Sequence, residues 1–169
     1  MNIILIGMPG CGKSTAGVVL AKRLGYGFVD ADLVIQSQQG RLLQDIIDTD
    51  GSDALLKAEG EALQSINCQS SVIATGGSAV FSAEGMAHLK ASGKAVYIKL
   101  PLEQLSERLG DMSTRGVAGA EQKSLAEIYE ERTPLYEKWA DITVDAANLT
   151  ITEVTDRIIG EIIVAQPTK

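Results

Sequence analysis

Near the start of the chain an amine, a hydroxyl and a run of glycines stand together, in Gly7-Met8-Pro9-Gly10-Cys11-Gly12-Lys13-Ser14. The pattern G-x-x-x-x-G-K-S/T is suited to holding a polyphosphate. Glycines let the backbone curl until successive N–H groups face one phosphate chain. A helix beginning at the lysine adds unpaired donors and a partial positive charge. Lys13 would reach the β- and γ-phosphates, and the Ser14 hydroxyl offers an oxygen to Mg²⁺. Gly10, Cys11, Gly12 and Thr15 complete this nucleotide cradle. Cys11 is either an inert small side chain or, beside Lys13 and a helix start, a thiol of lowered pKa.

A second cluster is Asp30-Ala31-Asp32. If the segment stays extended, residues i and i+2 point the same way. One carboxylate can then hold Mg²⁺, while the other accepts a hydrogen bond from an acceptor hydroxyl and takes its proton. The plainer alternative is a helix N-cap at Asp32. Gly76-Gly77-Ser78 would let a substrate approach the backbone closely, or simply form a turn. Arg132, in Arg132-Thr133-Pro134-Leu135-Tyr136, presents a planar fork suited to a carboxylate, or to a surface salt bridge.

Strands and helices must alternate to bring these groups together. Apolar runs predict strands at 2–6, 27–30, 71–75, 94–100 and 141–145. Between them helices are expected at 14–24, 32–39, 42–49, 53–69, 82–91 (capped by Ser82), 102–109, 125–139 and 152–165, with an interruption near Pro134. The implied fold is α/β: three layers, a five-stranded parallel sheet with helices on both faces, of P-loop kinase type, in one domain over 1–169. Binding sites in such sheets lie beyond the carboxyl ends of the strands, where every cluster above falls. The stretch 110–123 is small, polar and longer than most connections. It is a loose surface loop, or a lid that brings Arg115 onto the phosphates and excludes water.

Bulk properties exclude several classes. The chain has 169 residues, 45% apolar and 22% charged, and a net charge of −7 without a long basic run. Nucleic acid or an anionic membrane is therefore not the expected partner. Two cysteines, no C-x-x-C and one histidine argue against structural zinc or a disulfide framework. With no basic leader and no long apolar run, a cytoplasmic location is expected. A monomer acting on ATP and a small hydroxylated substrate is the expected state.

Taken in order, G-M-P-G-C-G-K-S-T, F-V-D-A-D, G-R-x-x-x-D-I, A-T-G-G-S-A-V, S-T-R and E-R-x-P-L-Y resemble the shikimate kinase family, across most of the chain. The resemblance implies transfer of the ATP γ-phosphate to the 3-hydroxyl of shikimate, with Mg²⁺. It implies roles too: Lys13 and Ser14 for phosphate and Mg²⁺, Asp30 with the magnesium, Asp32 on the substrate hydroxyls, Gly77 (beside Gly76) as a backbone contact. Arg115 would be the lid arginine, Arg132 one of two carboxylate-clamping arginines, and Arg108 the arginine that stacks on adenine. The substrate-binding helices would span about 32–69. The catalytic set is then Lys13, Asp32 and Arg115.

There are departures. The second clamp arginine falls at Leu56, and neighbouring Lys57 points about 100° away. Glu59, used by the family beside that arginine, remains without its partner and would repel a carboxylate unless Lys57 compensates. The usual third glycine after the third strand is Ser78, and Arg115 is followed by Gly116-Val117. The phosphate-transfer half is intact and the recognition half altered. Alternatives are therefore a related kinase of gluconate or a polyol, and a nucleotide-binding regulator without turnover.

Overall fold

The run Ile3-Ile4-Leu5-Ile6 has no polar face, so the first strand must be covered on both sides. The computed structural model, which describes residues 1–110, 117–120 and 122–164, puts it at the centre of a sheet. The strands are β1 (Asn2–Ile6), β2 (Gly27–Asp30), β3 (Ser71–Ala74), β4 (Gly93–Lys99) and β5 (Ile142–Asp145), in the order β2-β3-β1-β4-β5 and all parallel. The helices are α1 (Lys13–Leu24), α2 (Ala31–Gln39), α3 (Leu43–Asp50), α4 (Ser52–Ser65), α5 (Ala83–Ser92), α6 (Leu102–Leu109), α7 (Leu125–Trp139) and α8 (Ile151–Val164). Helices α1 and α8 pack together on one face; α5 and α7 pack against β4 on the other. The expected three-layer architecture is present. Among the described residues no helix is long and apolar enough to cross a membrane.

This strand order locates a site. The chain leaves β1 for one edge of the sheet and leaves β3 for the other. The neighbours β1 and β3, in register Ile3↔Val72 to Leu5↔Ala74, therefore form the switch point, where a crevice opens beyond their carboxyl ends. Thr75 closes its floor: both its backbone N–H and its hydroxyl donate to the Leu5 carbonyl, at 3.1 and 3.0 Å.

Three expectations change in detail. Helix α4 stops at Ser65 rather than running to 69. Buried Asn2 draws the following segment out, its Nδ2 donating to the Cys68 carbonyl (2.8 Å) and its Oδ1 accepting from the Ser71 N–H (3.1 Å). Helix α7 runs unbroken through Pro134. Proline removes one helical N–H, and buried Arg132 and Tyr136 anchor the turns on either side. Asp30, not Asp32, is the N-cap of α2, because helical geometry begins at Ala31.

Candidate active site

The loop between β1 and α1 curls around an ammonium. Lys13 Nζ donates to the carbonyls of Gly7 and Met8 at 2.8 and 2.9 Å and lies 3.8 Å from Cys11 Sγ. Gly12 turns the chain into α1 at φ 97°, a conformation that side chains rarely adopt. Ser14 and Thr15 are exposed at the start of α1, and Cys11 is 3% exposed, packed in the core. Arg108, in the last turn of α6, brings its Nη1 within 3.9 Å of where a Cβ on Gly12 would stand, beside Ile151. Nucleotide candidates from α1 and α6 thus share one rim.

Across the switch point lies a cavity of about 50 Å³, lined among others by Pro9, Asp32, Glu59, Gly76, Ser78 and Arg132. Asp30 and Asp32 reach this edge, but not as an extended pair. Asp30 Oδ1 accepts the Asp32 N–H at 3.0 Å, capping α2, while the Asp32 carboxyl lines the cavity. Burial, then the nearby Asp30, raises the Asp32 pKa above the usual carboxylate range, against the pull of Lys13. Gly76 is where side-chain size decides. A Cβ there would collide with the Glu59 carboxyl and stand 2.9 Å from Asp32 Oδ1.

Arg132 is not a surface residue. It is 3% exposed, its Nη2 donates to the Ala118 carbonyl at 2.6 Å, its Nε has no partner, and its guanidinium lies 5.5 Å from the Phe81 ring centre. Leu56 faces a neighbouring groove of about 450 Å³, which Arg132 and Phe81 also line. Lys57 is exposed and lies with Gly60, Glu61 and Gln64 on a different groove, away from the cavity. Arg115 lies outside the described residues; of the stretch 110–123, Val117 and Ala118 are buried and form part of the cavity wall.

The structure therefore brings together Asp32, Glu59, Gly76, Gly77 and Arg132, sets Lys13 and Ser14 close by at the start of α1, and leaves Lys57 apart. Sequence reading missed two contributors. Tyr136 donates its hydroxyl to the Gly77 carbonyl at 2.5 Å and stacks on Tyr97 with ring centres 5.1 Å apart. Burial pushes both phenols well above the ordinary tyrosine range, so neither ionises. Ser78 Oγ donates to Glu59 Oε2 at 2.5 Å. One signal for the latter was available: Glu59 falls among the inward positions Leu55, Ala58, Ala62 and Leu63 of α4, where a carboxylate needs a partner.

Comparison with known proteins gives a consistent answer. Residues 9–163 match the family model described as shikimate kinase. A shikimate kinase of Francisella tularensis subsp. holarctica is 36% identical over 161 residues, spanning 93% of this chain and 92% of that protein. The solved structure of shikimate kinase from Acinetobacter baumannii in complex with shikimate superposes with a TM-score of 0.87 at 30% identity, covering 99% of this chain and 95% of that one. Shikimate kinase from Aquifex aeolicus gives 0.83 at 31% identity, covering 96% of each chain.

Proposed function

Because the chain belongs to the shikimate kinase family, we propose that it transfers the γ-phosphate of ATP to a hydroxyl of a small acceptor, first of all the 3-hydroxyl of shikimate. The observation that carries this reading is the meeting of Asp32, Glu59 and Arg132 around one cavity beside the phosphate loop. Lys13 would exchange the Gly7 and Met8 carbonyls for phosphate oxygens, keeping its charge where negative charge gathers. Asp32, with its raised pKa, suits a base that takes the proton of the attacking hydroxyl. Arg132 would give up the Ala118 carbonyl for an anionic group of the acceptor. Arg108 would lie against the adenine.

Ser14 Oγ and Asp30 Oδ2 are the oxygens suited to Mg²⁺: Ser14 is exposed at the loop mouth, and Asp30 uses only its other oxygen as a cap. The ion, when bound, supplies charge neutralisation on the phosphates. The cavity is small, about 50 Å³, and Val117 and Ala118 form part of its wall. Outward movement of Val117 and Ala118 would enlarge it for a ring-sized acceptor. Arg115 belongs to this stretch and, as the lid arginine, would join Lys13 and Asp32 in the catalytic set.

The test is ADP release with Mg²⁺ and ATP, with and without millimolar shikimate. Acceptor-dependent turnover supports the reading; ATP binding without it argues against shikimate. One observation favours a second acceptor class. Leu56 stands beside Arg132 where a second cation would grip a carboxylate, so among the described residues Arg132 is the one guanidinium lining the acceptor cavity. A sugar acid such as gluconate, or a polyol, fits that arrangement, and a panel of such compounds separates the two.

A further inference from the structure

Glu59 is 3% exposed in the middle of α4, yet among the described residues no cation is bonded to it. The Arg132 guanidinium is engaged by Ala118, Lys13 Nζ by Gly7 and Met8, and Lys57 lies in solvent. Leu56, one turn earlier, is aliphatic. Among the described residues its one hydrogen bond comes from Ser78 Oγ to Oε2, at 2.5 Å. Oε1 is buried without a partner and abuts Gly76, in the cavity that Asp32 also lines.

We propose that Ser78 is a positioning and specificity residue: it holds Glu59 where a cation would otherwise do so, leaving Oε1 to bind an acceptor hydroxyl, and the pair sets the preference between anionic and neutral acceptors. This rests on the kinase reading above. A hydroxyl donates to a carboxylate and accepts from a carboxylic acid, so Ser78 keeps Glu59 in one pose in both protonation states. A guanidinium would fix the charged form alone. The groups facing Glu59 are Asp32 from α2, which opposes ionisation, and Arg132 from α7 and Lys13 from α1, which favour it. Burial outweighs the rest and pushes the carboxyl up to about 7. Neutral Glu59 tolerates an acceptor carboxylate beside the guanidinium of Arg132. Ionised Glu59 repels it. An uncharged polyol meets no such penalty.

The experiment measures acceptor KM and kcat between about pH 6 and 8.5 for the wild type, Ser78→Ala, Glu59→Gln, Leu56→Arg and Leu56→Arg/Ser78→Ala, with shikimate and with an uncharged polyol. The wild-type KM for shikimate should rise as pH passes about 7, and Glu59→Gln should flatten that rise. Ser78→Ala should raise KM about tenfold at nearly constant kcat and move the rise to higher pH, because the lost hydrogen bond favoured the ionised form. In the Leu56→Arg background the Ser78→Ala penalty should vanish. An unchanged KM in Ser78→Ala, or an equal penalty in both backgrounds, overturns the proposal. If no acceptor supports turnover, the kinase reading fails by itself, and the free protein still decides the role of Ser78. A Glu59 side-chain ¹³C titration whose midpoint climbs in Ser78→Ala supports it, and an unmoved midpoint overturns it.

Discussion

The hydroxyl of Tyr136 donates to the carbonyl of Gly77 across 2.5 Å, joining the helix that carries Arg132 to the loop that follows β3. Two walls of one cavity are thereby held at a fixed separation. Tyr136→Phe keeps the stack on Tyr97 and removes the hydroxyl, with this link and its 3.8 Å contact to Met8 Sδ. It should cost about 1–2 kcal/mol of stability in urea unfolding and raise acceptor KM more than it lowers kcat. Equal stability of the two proteins would mean the bond contributes nothing net.

Lys13 is the cation inside the phosphate loop. Lys13→Met should lower kcat by about 10²–10³-fold, the loss usual when one electrostatic donor to a transition state is removed. Circular dichroism should show the fold intact. Steady-state ADP release reads the effect.

Leu56 adjoins the groove lined by Arg132. Leu56→Arg should tighten shikimate binding about ten- to a hundredfold, the worth of about 1.5–3 kcal/mol from one charge-assisted hydrogen bond. Titration calorimetry against shikimate measures it. Unimproved affinity would place the limit on shikimate elsewhere than in the missing fork.

Glu59 makes stability depend on pH. Its carboxyl is raised from 4.5 to about 7 on folding, so the folded state binds the proton more tightly than the unfolded chain. That contribution is fully present below about 4.5 and is lost as pH rises through about 7. Asp32, raised as well, acts in the same direction. Chemical denaturation should show the wild type losing up to about 3 kcal/mol from this group between those limits. Glu59→Gln should show a shallower loss.

Cys11 is buried and Cys68 is half-exposed. A bulky thiol reagent should modify Cys68 first, reaching Cys11 only after unfolding, as read by mass spectrometry of peptides. Rapid labelling of Cys11 in the native protein that ATP suppresses would instead reveal a reactive thiol in the loop.

What was legible in the sequence was local or periodic. The phosphate loop is contiguous, so its residues predict their own geometry, and apolar runs sufficed for five buried strands. The paired acids were visible, but their orientation was not: no loop separates β2 from α2, and Asp30 caps the helix, turning Asp32 toward the cavity alone. The burial of Arg132 and the bond from Ser78 to Glu59 depend on contacts across the fold, which no window of neighbouring residues records. The end of α4 was misplaced because Asn2, 66 residues away from Cys68, decides it.

The central position of β1 bears on how the chain is made. Its partners are Ser71–Ala74 and Gly93–Lys99, so this strand, made before the others of its sheet, has no complete set of neighbours until about residue 99 exists. At roughly 5–20 residues per second, the nascent Ile3-Ile4-Leu5-Ile6 waits several seconds for its second partner strand. During that interval its unpaired edge is a template for pairing with another nascent copy.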